Sequence, residues 1–293
     1  MFRTSPLVVS FALLLDAGCT RTPEPPVGER AFSAGAPSAP VESARAAPSA
    51  SVPLAAPAPR KPEPLAAPEP LAPLEVPGFR SAVVSLPLGA TAKRPVVVAL
   101  HGNYDRPEWQ CEVWREITRA FPFVLCPRGI PRGDAPKSED RWEYSSLTNT
   151  ERELAAAMGA LRAKYPEHVD ASRVLYTGFS LGAILGKSLV VNRGGNFERA
   201  VFTEGGFEAF GRARAKQFVE AGVTRVLFAC GQASCVQAAK SAARALEREG
   251  ASARVVSGGN AGHTYDGAVA RAISSEWSWL TEGDERWAES RSE

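Results

Sequence analysis

The sequence predicts an α/β fold in which helices cover both faces of a mostly parallel sheet. From residue 78 onward, short apolar runs typical of strands alternate with segments of helical spacing. The runs are continuously apolar, which indicates strands that are buried on both faces. Six runs carry the strand signal: RPVVVAL, FPFVLC, RVLYT, RAVFT, TRVLFAC and ARVVS. Four segments between them carry the helix signal: ERELAAAMGALRAKY, LGAILGKSLVV, FEAFGRARAKQFVE and CVQAAKSAARALEREG.

Composition excludes some function classes. The chain has 293 residues and is 44% hydrophobic, which is ample for a large buried core. Its 34 basic and 32 acidic residues leave a net charge of only +2. The sequence contains no basic stripe that would indicate a nucleic-acid partner, and it contains no acidic tail.

The N-terminus predicts export. A positively charged MFRTSP precedes the apolar run LVVSFALLL and then DAGC, so residues 1–19 are interpreted as a signal peptide. The apolar run is too short to span a bilayer, which takes about 20 residues. DAGC resembles the lipobox of bacterial lipoproteins, which implies lipidation of Cys19 and anchoring to a membrane of the cell envelope; Asp16 stands where that family usually has leucine. Ordinary cleavage, giving a secreted or periplasmic protein, and an uncleaved anchor or misread start remain alternatives.

The segment after the signal peptide differs in composition from everything that follows. Residues 20–77 contain 15 of the 24 prolines, mixed with Ala, Ser and Glu. Proline fixes φ and removes hydrogen-bond donors, and few aromatic side chains are available for burial. We therefore predict a disordered, extended linker over 20–77 and a folded domain over 78–293.

The stretch VLYTGFSLGA carries the strongest chemical signal. It places Gly178, Ser180 and Gly182 in a GxSxG pattern after a strand and before a helix. This pattern resembles the nucleophile elbow of the α/β-hydrolases, in which a sharp turn exposes a catalytic serine. A serine that merely caps the helix is the structural alternative. A phosphate loop is excluded because GxxxxGK[ST] would need glycine at Leu181, and counting from Gly182 leaves the loop one residue short.

Three histidines are candidates for the base. His168 lies in a polar connection and is expected on the surface. His101 ends a strand in an HG pair that resembles the oxyanion loop of α/β-hydrolases, so its expected role is structural. His263 lies in the glycine-rich GGNAGHTYDG after the last strand, where that family places its base. The resemblance therefore implies that His263 activates Ser180, with backbone N–H groups of Leu181 and of Asn103 or Tyr104 as oxyanion donors.

The acid of a triad is not decided by the sequence. The position where many α/β-hydrolases carry aspartate reads CGQASC, with Ser234 in its place. Glu204 ends the next strand after the elbow helix, a location that some members use instead, and could hold the His263 tautomer. The alternatives are a dyad, a histidine assisted by Gln232 or Ser234, and Asp266 or another carboxylate.

Two further groups of residues bear on the site. Apart from Cys19, the cysteines form two sequence-local pairs, Cys111 with Cys126 and Cys230 with Cys235. In an exported protein these are disulfide candidates that would brace the rim of the site, with free buried thiols as the alternative. Five aromatic residues follow strands near the same edge and could line a substrate pocket or pack in the core: Tyr104, Trp109, Trp114, Trp142 and Tyr144.

The segment 78–283 is similar to compact α/β-hydrolases such as dienelactone hydrolases, carboxylesterases and polyester-depolymerase-like esterases. The resemblance rests on HG, GxSxG and a late GH in that order. It implies a serine esterase that acts on a small or polymeric ester and needs no cofactor. No metal is expected, since the sequence has neither CxxC spacing nor clustered histidines, and we expect a monomer. The rival interpretation is a hydrolase-fold binding protein that has lost turnover, since the usual aspartate is missing. A peptidase is a third, weaker alternative.

Overall fold

An eight-stranded sheet lies between two helical layers in the computed structural model, which describes residues 61–192 and 196–291. These residues belong to one unit, Ala58–Glu293. The strands are β1 (Leu71–Leu74), β2 (Ala82–Ser85), β3 (Arg94–Leu100), β4 (Phe123–Cys126), β5 (Ile130–Pro131), β6 (Trp142–Glu143), β7 (Val169–Phe179), β8 (Phe197–Thr203), β9 (Arg225–Cys230) and β10 (Ser252–Ser257).

The helices occupy most of the connections between the parallel strands. They are α1 (Pro107–Ile117), α2 (Leu147–Lys164), α3 (Leu181–Asn192), α4 (Arg212–Glu220), α5 (Ala233–Glu249), α6 (Gly267–Ser275), α7 (Trp277–Thr281) and α8 (Ala288–Arg291). Short 3-10 helices lie at Lys137–Glu139 and Glu285–Trp287. The predicted strands and helices are thereby all found, and the α/β class is confirmed.

The main sheet has the order β1-β2-β4-β3-β7-β8-β9-β10. Strands β4, β3, β7, β8, β9 and β10 pair in parallel, while β2 pairs antiparallel with both β1 and β4. Parallel strands bring their carboxyl ends to one edge of the sheet, so the segments after β3, β7, β8, β9 and β10 meet there. A separate two-stranded ribbon, β5 with β6, follows β4.

Strand β3 shows why the apolar runs are continuous. Val96, Val98 and Leu100 belong to the core on one face of the sheet, together with residues of α2, α3, α4 and α5. Val97 and Ala99 belong to the core on the other face, with α1, α6 and α7. Both faces are covered, so every side chain from Pro95 to Leu100 is apolar.

The structure differs from the predicted linker boundary at Pro77. Residues 71–74 form β1, and Leu74 and Val76 are buried in the core at 2% and 3% exposure. A four-residue strand that contains proline gives a weak local signal, and β1 forms because β2 supplies its hydrogen-bonding partner. The folded unit therefore includes the end of the predicted 20–77 segment.

The predictions for the N-terminus lie outside the described residues. These are the 1–19 signal peptide, lipidation at Cys19 and most of the linker. Within the described residues, no helix combines the length and the apolarity needed to cross a bilayer.

Candidate active site

Ser180 lies in the sharp turn between β7 and α3. Its φ of 49° is in the left-handed region, which costs a residue with a side chain about 1–2 kcal/mol. The Ser180 N–H donates to the Thr203 carbonyl over 2.9 Å, and the Ser180 carbonyl accepts from the Ile184 N–H over 2.9 Å. The strained turn is thus held from β8 and from the first turn of α3, and Ser180 remains partly exposed.

The two glycines that flank Ser180 are required by close backbone contacts. A Cβ at Gly178 would lie 2.5 Å from the Gly182 carbonyl carbon. A Cβ at Gly182 would lie 2.4 Å from the Leu100 carbonyl oxygen at the end of β3. Side chains at these positions would push strand and helix apart, so the GxSxG spacing reflects a packed turn rather than a helix cap alone.

Three side chains from different strand ends meet beside this turn. His263, from the loop after β10, places Nε2 2.9 Å from the Ser180 Oγ. Its Nδ1 lies 3.1 Å from Oε2 of Glu204, which directly follows β8. With the proton on Nδ1, the imidazole donates to Glu204 and Nε2 is free to accept the Ser180 proton.

Glu204 is fixed in place by the loop that follows β9. Its Oε1 accepts from the N–H groups of Gly231 (2.6 Å) and Gln232 (3.1 Å), which leaves Oε2 for His263. The carboxylate side chain is only 3% exposed, whereas the His263 side chain is 48% exposed. The Glu204 carboxylate is therefore shielded from solvent, whereas the His263 side chain is open to it.

The other candidate acids are placed differently. The Asp266 carboxylate is engaged locally, with Oδ1 accepting from the Thr264 hydroxyl over 2.5 Å. Gln232 reaches the site through its backbone N–H, which donates to Glu204. Ser234 is exposed in the first turn of α5. Of the carboxylates considered from the sequence, Glu204 is the one beside His263.

Two of the three candidate oxyanion donors have an available N–H. Neither Asn103 nor Leu181 has a backbone N–H partner among the described residues. The Tyr104 N–H, in contrast, donates to the Trp142 carbonyl over 3.1 Å, so of the two loop alternatives it is Asn103 whose N–H has no partner in the described structure. The ribbon strand β6 accepts this hydrogen bond, and no local sequence pattern indicates the contact.

Comparison with known proteins identifies the fold. No protein-family model matches the chain, and no curated protein matches it. Among solved structures, a protein of Klebsiella pneumoniae predicted to be a dienelactone hydrolase is 16% identical, with a TM-score of 0.53 over 72% of this chain and 98% of that one. The Thermus thermophilus protein TT1662 is 15% identical, with a TM-score of 0.50 over 73% of this chain and 98% of that one.

The chain has the α/β-hydrolase fold. In this fold the elbow follows the central strand, here β7, and ligands bind at the carboxyl edge of the sheet. The positions of Ser180 after β7, Glu204 after β8 and His263 after β10 all lie on that edge.

The HG loop of the α/β-hydrolase fold contains a buried polar network. The ring nitrogens of His101 lie 2.7 Å from the Gly102 carbonyl and 2.9 Å from the Arg128 carbonyl, and burial lowers the pKa of His101. Asp105 accepts from the Gly102 N–H (3.3 Å) and from the Tyr265 hydroxyl (3.2 Å), and burial raises the pKa of Asp105. His101 is thus a structural residue of the loop, as the sequence predicts.

Asp105 and Tyr265 are further residues of the candidate site that the sequence patterns did not single out. Tyr265 lies two residues after His263, and its ring packs 4.7 Å from the ring of Phe179, which in turn lies 4.9 Å from the His263 ring. Through Asp105 this contact joins the HG loop to the histidine loop. The only signal was an acidic residue placed between the HG pair and a helix that begins with proline.

The aromatic residues near the site separate into two groups. Trp114 is 1% exposed in the core, and Tyr144 is buried and stacks on His101 at 4.5 Å. Trp142 is also buried, at 8% exposure. Tyr104 and Trp109 are each 40% exposed at the surface.

Both predicted disulfides are present. Cys111 in α1 is bonded to Cys126 at the end of β4, and Cys230 at the end of β9 is bonded to Cys235 in α5. The second pair closes the loop that donates to Glu204. The alternative of free buried thiols is therefore not what the structure contains.

Proposed function

We propose that this protein is an exported serine hydrolase that cleaves carboxylic esters through an acyl-enzyme on Ser180. The observation that carries the proposal is the continuous contact from the Ser180 Oγ to His263 Nε2 (2.9 Å) and from His263 Nδ1 to Glu204 (3.1 Å). Such a chain of nucleophile, base and orienting acid is the arrangement that activates a serine hydroxyl.

In the first half of the reaction, the Ser180 Oγ attacks the ester carbonyl while His263 Nε2 takes its proton. The negative charge on the tetrahedral oxygen is stabilised by the N–H groups of Asn103 and Leu181. His263 then returns the proton to the departing alkoxide, and an acyl-Ser180 ester remains. Glu204 stabilises the imidazolium that forms in each proton transfer.

In the second half, water replaces the alcohol. His263 removes a proton from the water, the hydroxide adds to the acyl carbon, and the collapse of the second tetrahedral species releases the acid and Ser180. No group beyond these side chains and water is needed to balance the reaction.

A fluorophosphonate probe tests the nucleophile. The full chain is expected to be labelled at Ser180, located by peptide mass spectrometry, and to hydrolyse p-nitrophenyl acetate. Ser180→Ala should abolish labelling and turnover, whereas Ser188→Ala, on the same helix, should retain both. If the folded wild-type chain is not labelled, the enzyme proposal is refuted and the binding-protein alternative is supported. Turnover of amide substrates would instead favour a peptidase.

The proposed location is the cell envelope, with the chain anchored by a lipidated Cys19. Support comes from the 1–19 segment and from the two disulfides, since disulfides persist in oxidising compartments. Mass spectrometry of the native N-terminus should find a diacylglycerol-modified cysteine. An unmodified N-terminus at another residue would indicate a secreted or periplasmic protein.

A further inference from the structure

The loop between β9 and α5 is closed by a disulfide and contacts two members of the candidate triad. Cys230 and Cys235 are bonded across a sequence separation of only five residues. Both are buried, at 0% and 3% exposure. Their sulfur atoms and a carboxylate oxygen of Glu204 lie within 4.8 Å of one another, so the bond is packed against the acid.

The enclosed residues supply the hydrogen bonds that orient the acid. Gly231 and Gln232 donate their N–H groups to the same oxygen of Glu204, over 2.6 and 3.1 Å. Gln232 is also the N-cap residue of α5 and makes no side-chain capping hydrogen bond. The first turn of α5 therefore lacks a side-chain N-cap, and the disulfide links this turn covalently to the end of β9.

The same loop also holds the segment that carries His263. The Cys230 carbonyl accepts from the Gly258 N–H over 2.8 Å, and the Gly231 carbonyl accepts from the Gly262 N–H over 3.0 Å. A Cβ at Gly231 would lie 2.2 Å from the Gly262 carbonyl oxygen, so the two loops are in direct backbone contact. The same short segment therefore makes hydrogen bonds both to Glu204 and to the loop that carries His263.

We propose that the loop closed by the Cys230–Cys235 disulfide is the positioning element for the Glu204–His263 pair. This inference rests on the proposed function and adds a role for residues that touch neither substrate nor the reacting atoms. Opening the loop frees Gly231 and Gln232 to move, which loosens Glu204 and the histidine loop together. A misplacement of about 1 Å in a catalytic group lowers turnover on the order of a hundredfold.

The other disulfide provides a matched control. Cys111–Cys126 closes a separation of 15 residues and joins α1 to β4, without contact to Glu204 or His263 in the described structure. A longer closed loop restricts the unfolded chain more, so removing this bond should cost more stability. A merely structural effect on activity would therefore be larger for the control than for Cys230–Cys235.

The test compares Cys230→Ala/Cys235→Ala with Cys111→Ala/Cys126→Ala in the full chain. One readout is kcat and KM for p-nitrophenyl acetate, and the second is the far-downfield proton NMR resonance of an imidazole Nδ1–H bonded to a carboxylate. We expect the first variant to lose kcat tenfold to a hundredfold, with KM changed less than about twofold, and to lose the resonance. The control should keep both readouts despite its larger fall in melting temperature.

Gly231→Ala keeps the disulfide but displaces the same loop. This variant replaces the double cysteine variant in the test if the latter does not fold. It should lose the resonance as well. The inference is overturned if these variants retain kcat and the resonance, or if kcat falls in step with melting temperature in both disulfide variants. Because the resonance does not depend on turnover, an inactive wild type with the signal would refute the proposed function and still test the positioning role.

Discussion

The exchange of Glu204 for glutamine isolates the contribution of the acid. Glutamine has the same shape, so its carbonyl oxygen can keep the hydrogen bonds from Gly231 and Gln232. Its amide NH₂ then faces His263 Nδ1, 3.1 Å away, where the carboxylate oxygen had accepted a hydrogen bond. A donor at that position favours the tautomer with the proton on Nε2, which cannot accept from Ser180.

The expected loss follows from this change of tautomer. The corresponding aspartate-to-asparagine change in a Ser-His-Asp enzyme lowers kcat about 10⁴-fold, and at about 1.4 kcal/mol per tenfold this is about 5.5 kcal/mol of barrier. Glutamine is preferable to alanine, because alanine would leave two buried N–H groups unpaired at a cost of about 1–3 kcal/mol each. Stability of Glu204→Gln should therefore stay close to that of the wild type.

The assay is steady-state hydrolysis of p-nitrophenyl acetate, with active sites counted by fluorophosphonate titration. Glu208→Gln is the control, since this carboxylate is 46% exposed four residues along the chain and pairs with Lys187 only at 3.7 Å. The control should keep kcat within about twofold, because exposed ion pairs contribute little. A Glu204→Gln variant that keeps more than a tenth of the wild-type kcat would refute the assignment and indicate a dyad.

Two further predictions concern stability. Burial lowers the pKa of His101 below its ordinary 6.5, so the unfolded chain takes up the proton first and the free energy of unfolding should fall below pH 6.5, by at most about 1.4 kcal/mol per pH unit. Urea unfolding at pH 7 and 5.5 measures this slope, and an unchanged slope in His101→Asn would contradict it. Gly182→Ala should cost at least about 1–3 kcal/mol, because its Cβ meets the Leu100 carbonyl at 2.4 Å. Gly159→Ala, with open space around its Cβ in α2, should instead stabilise by about 1 kcal/mol; equal melting temperatures would contradict the packing argument.

The parallel core of the sheet was predictable because its strands carry their own signal. Strands β3, β4, β7, β8 and β9 each contain a continuous apolar run that is buried, and burial on both faces demands that composition. The strands β1 and β2 were not predicted. They are four residues each, and β1 contains Pro73, so their stability comes from pairing with each other and with β4 rather than from local propensity.

The candidate site was predictable to a similar degree. Ser180 and His263 follow from local patterns, a glycine-flanked serine after a strand and a histidine in a late glycine-rich loop. The choice of Glu204 over Asp266 does not, because it depends on which strand ends meet. The engagement of the Tyr104 N–H depends on a hydrogen bond to Trp142, 38 residues later in the chain, which no local pattern contains.

The sequence by itself determined the α/β class and the order of strands and helices in the core, and it indicated the neighbouring cysteine pairs and the candidate nucleophile and base. These features are local, since they depend on periodicity, on glycine at tight turns and on short spacings. The tertiary structure alone decided which acid faces His263 and which N–H groups stay free. It also joined the Cys230–Cys235 loop to Glu204 and to the histidine segment. Contacts between the ends of different strands arise only when parallel pairing brings those ends to one edge of the sheet.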